Sequence, residues 1–188
     1  MKPISIIFYL TLLFVSCNSL LKAQTNIEKI EVSDYAMKND TLWVLSGDTF
    51  LYYPFGIYTN IDELAVAYSF MNRKSLFVNN TLLDNLYFNG SSIVTVLDTS
   101  SVSNVEVVYA KIVDTNIVLT NGIKVGLDKS EFMSYLPISL QKNEWDKIHV
   151  VVLESELLGI WNYYYFSNNK LDSILFITDY QFDLSDME

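Results

Sequence analysis

DTNIVLTNGIKVGLD, residues 114–128, is the second occurrence of a pattern that the chain first carries as DTFLYYPFGIYTNID, residues 48–62. Five positions are identical, namely Asp, Thr, Gly, Ile and the final Asp, and both stretches carry an apolar run between the Thr and the Gly. The offset is 66 residues, from 48 to 114. A fixed offset of this size is typical of folds in which each copy is one supersecondary unit. The sequence therefore predicts two repeat units, residues 48–113 and 114–178.

A helix is predicted just after the Gly-Ile pair of each unit, because apolar residues follow there at helical spacing. Asp62 and Asp128 are predicted to be the N-caps of these helices, and Glu131 is placed to complete a capping box in the second. Pro137 is predicted to end the second helix, since the residue before a proline avoids helical dihedral angles. These aspartates are therefore interpreted as scaffolding and not as a catalytic site.

Strands are predicted where apolar and β-branched residues alternate between turn residues. They are residues 26–32 and 41–45 in the N-terminal segment 24–47, and then 49–53, 82–88, 91–98, 104–109, 147–154, 160–165 and 171–178. Residues 147–154 match 91–98 at an offset of only 56, which places ten extra residues of the first unit within 70–90. Short turns such as Asn168-Asn169 make neighbouring strands antiparallel. The helices are too few to cover both faces of a sheet. The predicted fold class is α+β: two tandem helix-plus-antiparallel-strand units that form one sheet with helices on one face.

The first 23 residues are predicted to be an export signal. Lys2 follows the initiating Met, and residues 4–15 are an apolar run that is shorter than the ~20 residues needed to span a bilayer. Two processing outcomes stay open: cleavage after Ala23, or lipidation of Cys17, the only cysteine, in a segment that resembles a bacterial lipoprotein box. Both predict an exported protein, which is periplasmic, attached to the outer membrane or secreted. Residues 179–188 are predicted to be an acidic tail.

Charge and composition exclude several classes of partner and site. The net charge of −10 argues against nucleic acid and anionic lipid, which both need a basic surface, and it permits a basic protein partner. Membrane contact is expected only through a lipid anchor at Cys17. With one histidine, His149, and one cysteine, no metal site is expected. No cofactor is expected either, because the sequence has no phosphate-binding glycine loop and no dinucleotide fingerprint.

Catalysis has one weak candidate, the carboxylates Asp98, Glu154 and Glu156. Paired carboxylates hydrolyse glycosides, but carboxylates at strand ends are usually only solvated. His149 has no Gly-x-Ser-x-Gly elbow to accompany it. We therefore expect no catalytic residues and no enzyme, with a small carboxylate-based hydrolase as the alternative from another functional class.

Binding has a stronger candidate in the strand IWNYYYF, residues 160–166. Trp161, Tyr163 and Tyr165 point to one face of this strand, and Tyr109 aligns with Tyr165 in the first unit. A sheet that is covered on one side alternates apolar and polar residues, whereas this strand is apolar on both sides. Tyr and Trp suit protein interfaces because they combine large rigid contact area with a polar tip. These four residues are the predicted binding residues, unless the N-terminal strands or the ten-residue insertion cover their face.

Three segments carry a family resemblance: GIKVGLDKSEF (122–132), WNYYYF (161–166) and NKLDSI (169–174). Together they resemble the fold shared by outer-membrane assembly lipoproteins of the SmpA/OmlA type and by the β-lactamase inhibitor protein. The resemblance covers residues 48–178 and implies tandem units with one continuous sheet, whose curved face grips a protein partner without catalysis. This chain lacks the inhibitor's disulfides, and it is doubled relative to the assembly lipoproteins.

Taken together, these features predict an exported, non-enzymatic binding protein of the cell envelope. We expect it to inhibit or neutralise a protein partner through an aromatic sheet face. The alternative is an envelope lipoprotein that scaffolds an outer-membrane assembly.

Overall fold

The computed structural model describes residues 29–78, 81–97, 105–157 and 159–180. The predicted leader with Cys17, the carboxylate Asp98 and tail residues 181–188 lie outside these ranges. Within the ranges, nine strands form one sheet. They are β1 (Asp34–Lys38), β2 (Thr41–Ser46), β3 (Asn72–Val78), β4 (Thr81–Phe88), β5 (Ser91–Leu97), β6 (Val105–Ile112), β7 (Val150–Ser155), β8 (Ile160–Ser167) and β9 (Lys170–Thr178).

The strands lie in the order β1-β2-β7-β8-β9-β6-β5-β4-β3. Neighbours are antiparallel, as predicted, except that β2 runs parallel to β7. Two of the tight turns use the residues that the sequence marked as turns. Asn89-Gly90 joins β4 to β5 and Asn168-Asn169 joins β8 to β9, and all four residues have positive φ. Asn and Gly tolerate that region of dihedral space, which two-residue hairpin turns require.

The fold is mainly β, so the predicted α+β class with helices packed on the sheet is wrong. The described chain has three short helices, α1 (Ile61–Ala67), α2 (Lys129–Ser134) and α3 (Lys142–Trp145), and a 3-10 turn at Thr49–Leu51. Helices of four to seven residues bury too few side chains to form a layer. Irregular chain supplies most of the cover instead, through the buried residues Ile30, Phe55, Tyr68, Met71, Ile117, Leu119, Ile123, Val125, Leu127, Tyr135, Leu136 and Ile148.

The predicted caps are partly wrong. α1 begins after Asn60, whose side-chain oxygen accepts a hydrogen bond from the Glu63 amide at 3.0 Å. Asp62 therefore lies in the first turn, where its carboxylate pairs with Arg73 at 2.7 Å. Asp128 does occupy the N-cap position of α2, as predicted, but its side chain makes no capping hydrogen bond. Its carboxylate lies 3.5 Å from the Lys170 ammonium instead.

Two strands predicted in the first third of the chain, 26–32 and 49–53, differ in the structure. Residues 29–32, the described part of the predicted strand 26–32, are irregular, and β1 follows at Asp34–Lys38. β1 forms one edge of the sheet and is largely exposed, so it needs no apolar alternation to exist. The predicted strand 49–53 is a 3-10 turn, which Asp48 caps by accepting a hydrogen bond from the Phe50 amide at 2.9 Å.

The repeated stretch 114–128 contributes buried residues to the core, but it is not one of the nine strands. Its strand-like contacts are two isolated bridges, one between Val118 and Lys124 and one between Asp128 and Lys170, and Gly122 has a φ of 87°. The stretch also meets its earlier copy directly, because the Thr120 amide donates to the Pro54 carbonyl at 2.9 Å. The stretch therefore supplies apolar cover for the sheet.

The strand order places the two predicted units side by side. The three-strand meanders β4-β5-β6 and β7-β8-β9 join through their last strands, β6 and β9. The offset of 66 relates β6 to β9 and β4 to β7, whereas the offset of 56 relates the middle strand β5 to the outer strand β7. The topology therefore agrees better with one constant offset. That residues 48–113 and 114–178 are copies of one unit stays a prediction.

Candidate binding surface

The four predicted binding residues lie on one face of the sheet. Trp161, Tyr163 and Tyr165 alternate along β8 and are partly exposed. Tyr109 on β6 pairs with Ile177 on β9, which in turn pairs with Trp161. Directly paired residues of neighbouring strands share a face, so the whole row is on one side. The structure therefore brings together residues that are 52 to 56 positions apart in sequence (161 minus 109 and 165 minus 109).

We call this surface the aromatic face. Trp43 belongs to it, because it pairs with Val152 on β7, which pairs with Tyr163. Sequence reasoning missed Trp43, although β2 is apolar on both sides, which is the signal that identified β8. The aromatic face is defined by the residues Trp43, Tyr109, Val152, Trp161, Tyr163, Tyr165, Leu175 and Ile177.

Ring contacts hold the centre of the aromatic face in a fixed arrangement. Trp43 and Tyr163 meet edge to face, with centroids 6.4 Å apart and an interplanar angle of 79°. Tyr163 and Tyr165 stack at 6.3 Å with an angle of 12°. Offset and edge-to-face pairs of this kind each contribute about 0.5–1.5 kcal/mol beyond their buried area. The rings therefore form a preorganised platform, which lowers the conformational entropy that binding would cost.

The electrostatic environment keeps the central phenol protonated. Burial is the main cause that raises the pKa of Tyr163 above its ordinary value, and the neighbouring Tyr165 and Glu154 raise it further. A neutral phenol can both donate and accept a hydrogen bond. At neutral pH the centre of the aromatic face is thus uncharged and able to pair with polar groups of a partner.

The opposite face of β8 belongs to the core. Tyr164 and Phe166 are buried there and enclose Phe132 of α2, with centroid distances of 4.7 and 5.1 Å. Burial strongly raises the pKa of Tyr164. The same strand therefore carries a structural aromatic set on one side and the partly exposed set on the other.

The part of the same side formed by β4, β5 and β6 differs from the aromatic face. It carries four small or medium apolar residues that are almost fully buried: Leu83 (0% exposed), Val94 (1%), Val96 (8%) and Val108 (4%). Their pairing places them on the aromatic side, since Leu83 pairs with Val96 and Val94 pairs with Tyr109. We call this set the valine cluster. The valine cluster is buried, whereas Trp161, Tyr163 and Tyr165 of the aromatic face are partly exposed.

The carboxylates considered for catalysis do not form a described site. Glu154 pairs with Trp161 at the margin of the aromatic face. Glu156 lies beyond the end of β7, where its carboxylate is next to Gly47. Asp98 lies outside the described residues, so a cleft containing all three stays untested. His149 is exposed and precedes β7, and its backbone bonds to Asp40 and Phe166.

A small pocket lies elsewhere, around the start of α2. Asp128, Lys129, Trp145, Asp146 and Asn169 line it, together with Ser130, and its volume is about 280 Å³. The buried Lys129 ammonium donates to the Ile148 carbonyl. Burial lowers the pKa of Lys129, and the charge of Asp146 opposes that shift. The lysine is thus committed to fastening α2 to the chain before β7.

Within the described ranges, no group of three or more His, Cys, Asp or Glu residues is arranged to hold a metal ion. No helix in these ranges is long and apolar enough to cross a membrane. Comparison of the chain with protein-family models, with curated proteins and with solved structures finds no match.

Proposed function

We propose that this chain is an exported, non-enzymatic protein that binds a protein partner through the aromatic face. One observation supports the proposal above the others. A preorganised set of Trp and Tyr side chains stays partly exposed at the centre of a wide sheet, on the side away from the core layer.

The chemistry of the aromatic face favours a protein over other partners. Tyr and Trp are enriched at the centres of protein interfaces, where they dominate the binding energy. The net charge of −10 disfavours nucleic acid and anionic lipid and favours the approach of a basic protein. Glu154 lies at the margin of the face, where a basic group of the partner would meet it.

The area of the aromatic face indicates how stable a complex this face can support alone. Five strands at about 4.8 Å span about 24 Å, and three alternating positions along each strand span about 20 Å. The product is about 500 Å², which is below the roughly 800 Å² that each partner contributes to a standard interface. The face alone therefore supports a transient complex or one with a small partner, and a tighter complex needs contacts beyond its edge.

Site-specific photo-crosslinking tests the proposal. A benzophenone amino acid replaces Tyr165 on the aromatic face, and in a matched control it replaces Phe77, which is exposed on β3 and points to the other side of the sheet. We expect one protein of the envelope to be crosslinked through position 165 and not through position 77. That protein is identified by mass spectrometry and purified, and its complex is reconstituted. Equal crosslinking from both positions, or none from position 165, contradicts the proposal.

The state of the mature N-terminus separates the two forms of the proposal. An acylated Cys17, seen as a mass increase of the N-terminal peptide, favours an anchored scaffold of an envelope assembly. A mature chain that begins at Gln24 favours a soluble protein that neutralises its partner. A chain that keeps residues 1–23 after expression in its own cell contradicts export.

A further inference from the structure

β1 is an edge strand that can accept another strand. It lies at one end of the sheet, so one side of its backbone has no neighbouring strand among the described residues. Proteins often block such edges with prolines or bulges, because an unpaired edge is a template for another strand. β1 contains no proline and pairs with β2 in one unbroken register. Its two charged residues, Asp34 and Lys38, have opposite signs, so they do not exclude a second strand of the same sequence.

The sequence of β1, DYAMK, is complementary to itself in the antiparallel direction. When Ala36 of one copy lies opposite Ala36 of another, Asp34 lies opposite Lys38 at both ends of the pair. Tyr35 then lies opposite Met37 at both intermediate positions. Opposite charges and aromatic side chains in directly opposed positions stabilise a pair of strands, and methionine sulfur packs well against aromatic rings. A shift of two residues in either direction removes both ion pairs.

We propose that two copies of the chain pair through β1, antiparallel, around a two-fold axis that passes between the two Ala36 residues at right angles to the sheet. Such an interface uses the same strand of both copies, so the assembly closes at a dimer. Within the described residues Asp34 and Lys38 make no ion pair, and the dimer gives each of them a partner.

The backbone of β1 agrees with this register. The Tyr35 amide donates to the Asp34 carboxylate at 2.8 Å, so its N–H is directed away from β2. Alternate residues of an edge strand carry the outward backbone groups, so these belong to Tyr35 and Met37 and not to Ala36. In the proposed register each Tyr35 lies opposite a Met37, and the outward groups of the two copies meet.

The side chains of β1 also suit the pairing on the core side of the sheet. Tyr35 pairs with the buried Val44, and Met37 pairs with the buried Leu42. Tyr35 is 43% exposed at this edge of the core. In the dimer its ring packs beside Met37 of the second copy, which extends the core layer across the two-fold axis.

The pairing joins the two aromatic faces, because an axis at right angles to the sheet keeps both on the same side. Ala36 pairs with Trp43, so the Trp43 residues of the two copies are three strand spacings apart, or about 14 Å. The joined faces offer about 1,000 Å², more than the roughly 800 Å² that each partner contributes to a standard interface. The inference is drawn from β1 and does not rest on the proposed function.

Disulfide trapping tests the register. Ala36→Cys is placed in the full chain with Cys17→Ser, which removes the only other thiol. Opposite residues of a non-hydrogen-bonded pair have Cα atoms about 4.5 Å apart, which lies within the range for a disulfide. The matched control is Lys74→Cys, on β3 at the other edge of the sheet. We expect mild oxidation to link two copies through position 36 roughly tenfold faster than through position 74. Equal rates overturn the proposal.

Sedimentation of charge variants tests the ion pairs. The five residues of β1 span only about 17 Å, so the dimer is expected to form reversibly as the concentration rises. Asp34→Lys and Lys38→Asp change exposed side chains, and each variant alone places like charges opposite each other. Each is expected to weaken dimerisation about tenfold.

An equimolar mixture of the two charge variants is the decisive sample. Every lysine of one variant then meets an aspartate of the other, so we expect the mixture to dimerise as the unaltered chain does. Lys74→Asp on β3 is the control and is expected to leave dimerisation unchanged. An unaltered chain that stays monomeric, a mixture that is as weak as either variant, or assemblies that grow beyond a dimer overturn the proposal.

Discussion

Tyr163 and Tyr164 are adjacent on β8 and separate the binding role from the structural role. Tyr164 is completely buried against Phe132. Its replacement by Ala removes a full aromatic side chain from the core, which costs about 3–5 kcal/mol of unfolding free energy. Tyr163 is partly exposed, and Tyr163→Ala removes its ring contacts with Trp43 and Tyr165. Those contacts and the smaller loss of buried area predict a cost of about 1–2 kcal/mol.

Urea denaturation followed by tryptophan fluorescence measures both costs. With an m-value of about 2 kcal/mol per molar urea, the difference of about 2–3 kcal/mol places the midpoint of Tyr164→Ala about 1 M or more below that of Tyr163→Ala. The m-values of the two variants should agree, so that the shift reports stability alone. Equal midpoints would mean that the aromatic face is as structural as the core. A larger cost for Tyr163 would refute the assignment of the two faces.

Three further predictions follow from single groups. Tyr164→Phe is expected to keep or raise the urea midpoint, because the buried Tyr164 hydroxyl has no hydrogen-bond partner among the described residues; a loss above about 1 kcal/mol would reveal a partner. Arg73→Met is expected to lower the free energy of unfolding by about 1–3 kcal/mol, because it removes the charge partner that lies 2.9 Å from the nearly buried Asp84. Asp62→Asn, at the exposed end of the same network, should lower it by less than about 1 kcal/mol. The reverse order in urea titrations would show that the exposed pair contributes more. The pKa of Tyr163, followed by NMR of labelled tyrosine rings, is expected above 10 and to fall in Tyr165→Phe and in Glu154→Gln. Because this pKa is raised on folding, the associated stability is present below pH 10 and is lost as the pH rises through the folded-state value; a pKa that neither substitution lowers would exclude these neighbours as causes.

Strands with strong local patterns could be predicted from the sequence, and strands defined by distant pairing could not. β4 to β9 carry apolar alternation and are bounded by turn residues such as Asn89-Gly90 and Asn168-Asn169, and the predicted strands overlap all six. β1 and β3 are the two edges of the sheet. Their side chains are largely exposed, so no alternation was required and neither was predicted in its place.

The layer over the core could not be predicted because it has little regular structure. Apolar residues after the Gly-Ile pair fit a helix in both units, yet each helix spans only six or seven residues. The rest of the apolar set, including Ile117 and Ile123, is buried in irregular chain. Burial depends on where the chain passes over the sheet, which local periodicity does not encode.

More of the candidate surface than of the core layer could be predicted from the sequence. A strand that is apolar on both sides indicates that both faces of the sheet make contacts there. The alternation along β8 then places Trp161, Tyr163 and Tyr165 on one face. Trp43 and Leu175 complete that face through the pairing of β2 with β7 and of β9 with β8. The parallel pair β2–β7 joins residues more than 100 positions apart, and no local signal announces it.

Affinity of the purified partner for matched variants tests the central claim most directly. The partner identified by crosslinking is titrated by calorimetry against the unaltered chain, Trp161→Ala and the control Phe77→Ser. Trp161 is on the aromatic face and Phe77 is exposed on the opposite side, at the far edge of the sheet. The account predicts that Trp161→Ala weakens binding at least tenfold, about 1.4 kcal/mol, and that Phe77→Ser leaves the Kd unchanged. An unchanged Kd for Trp161→Ala in a folded protein would contradict it.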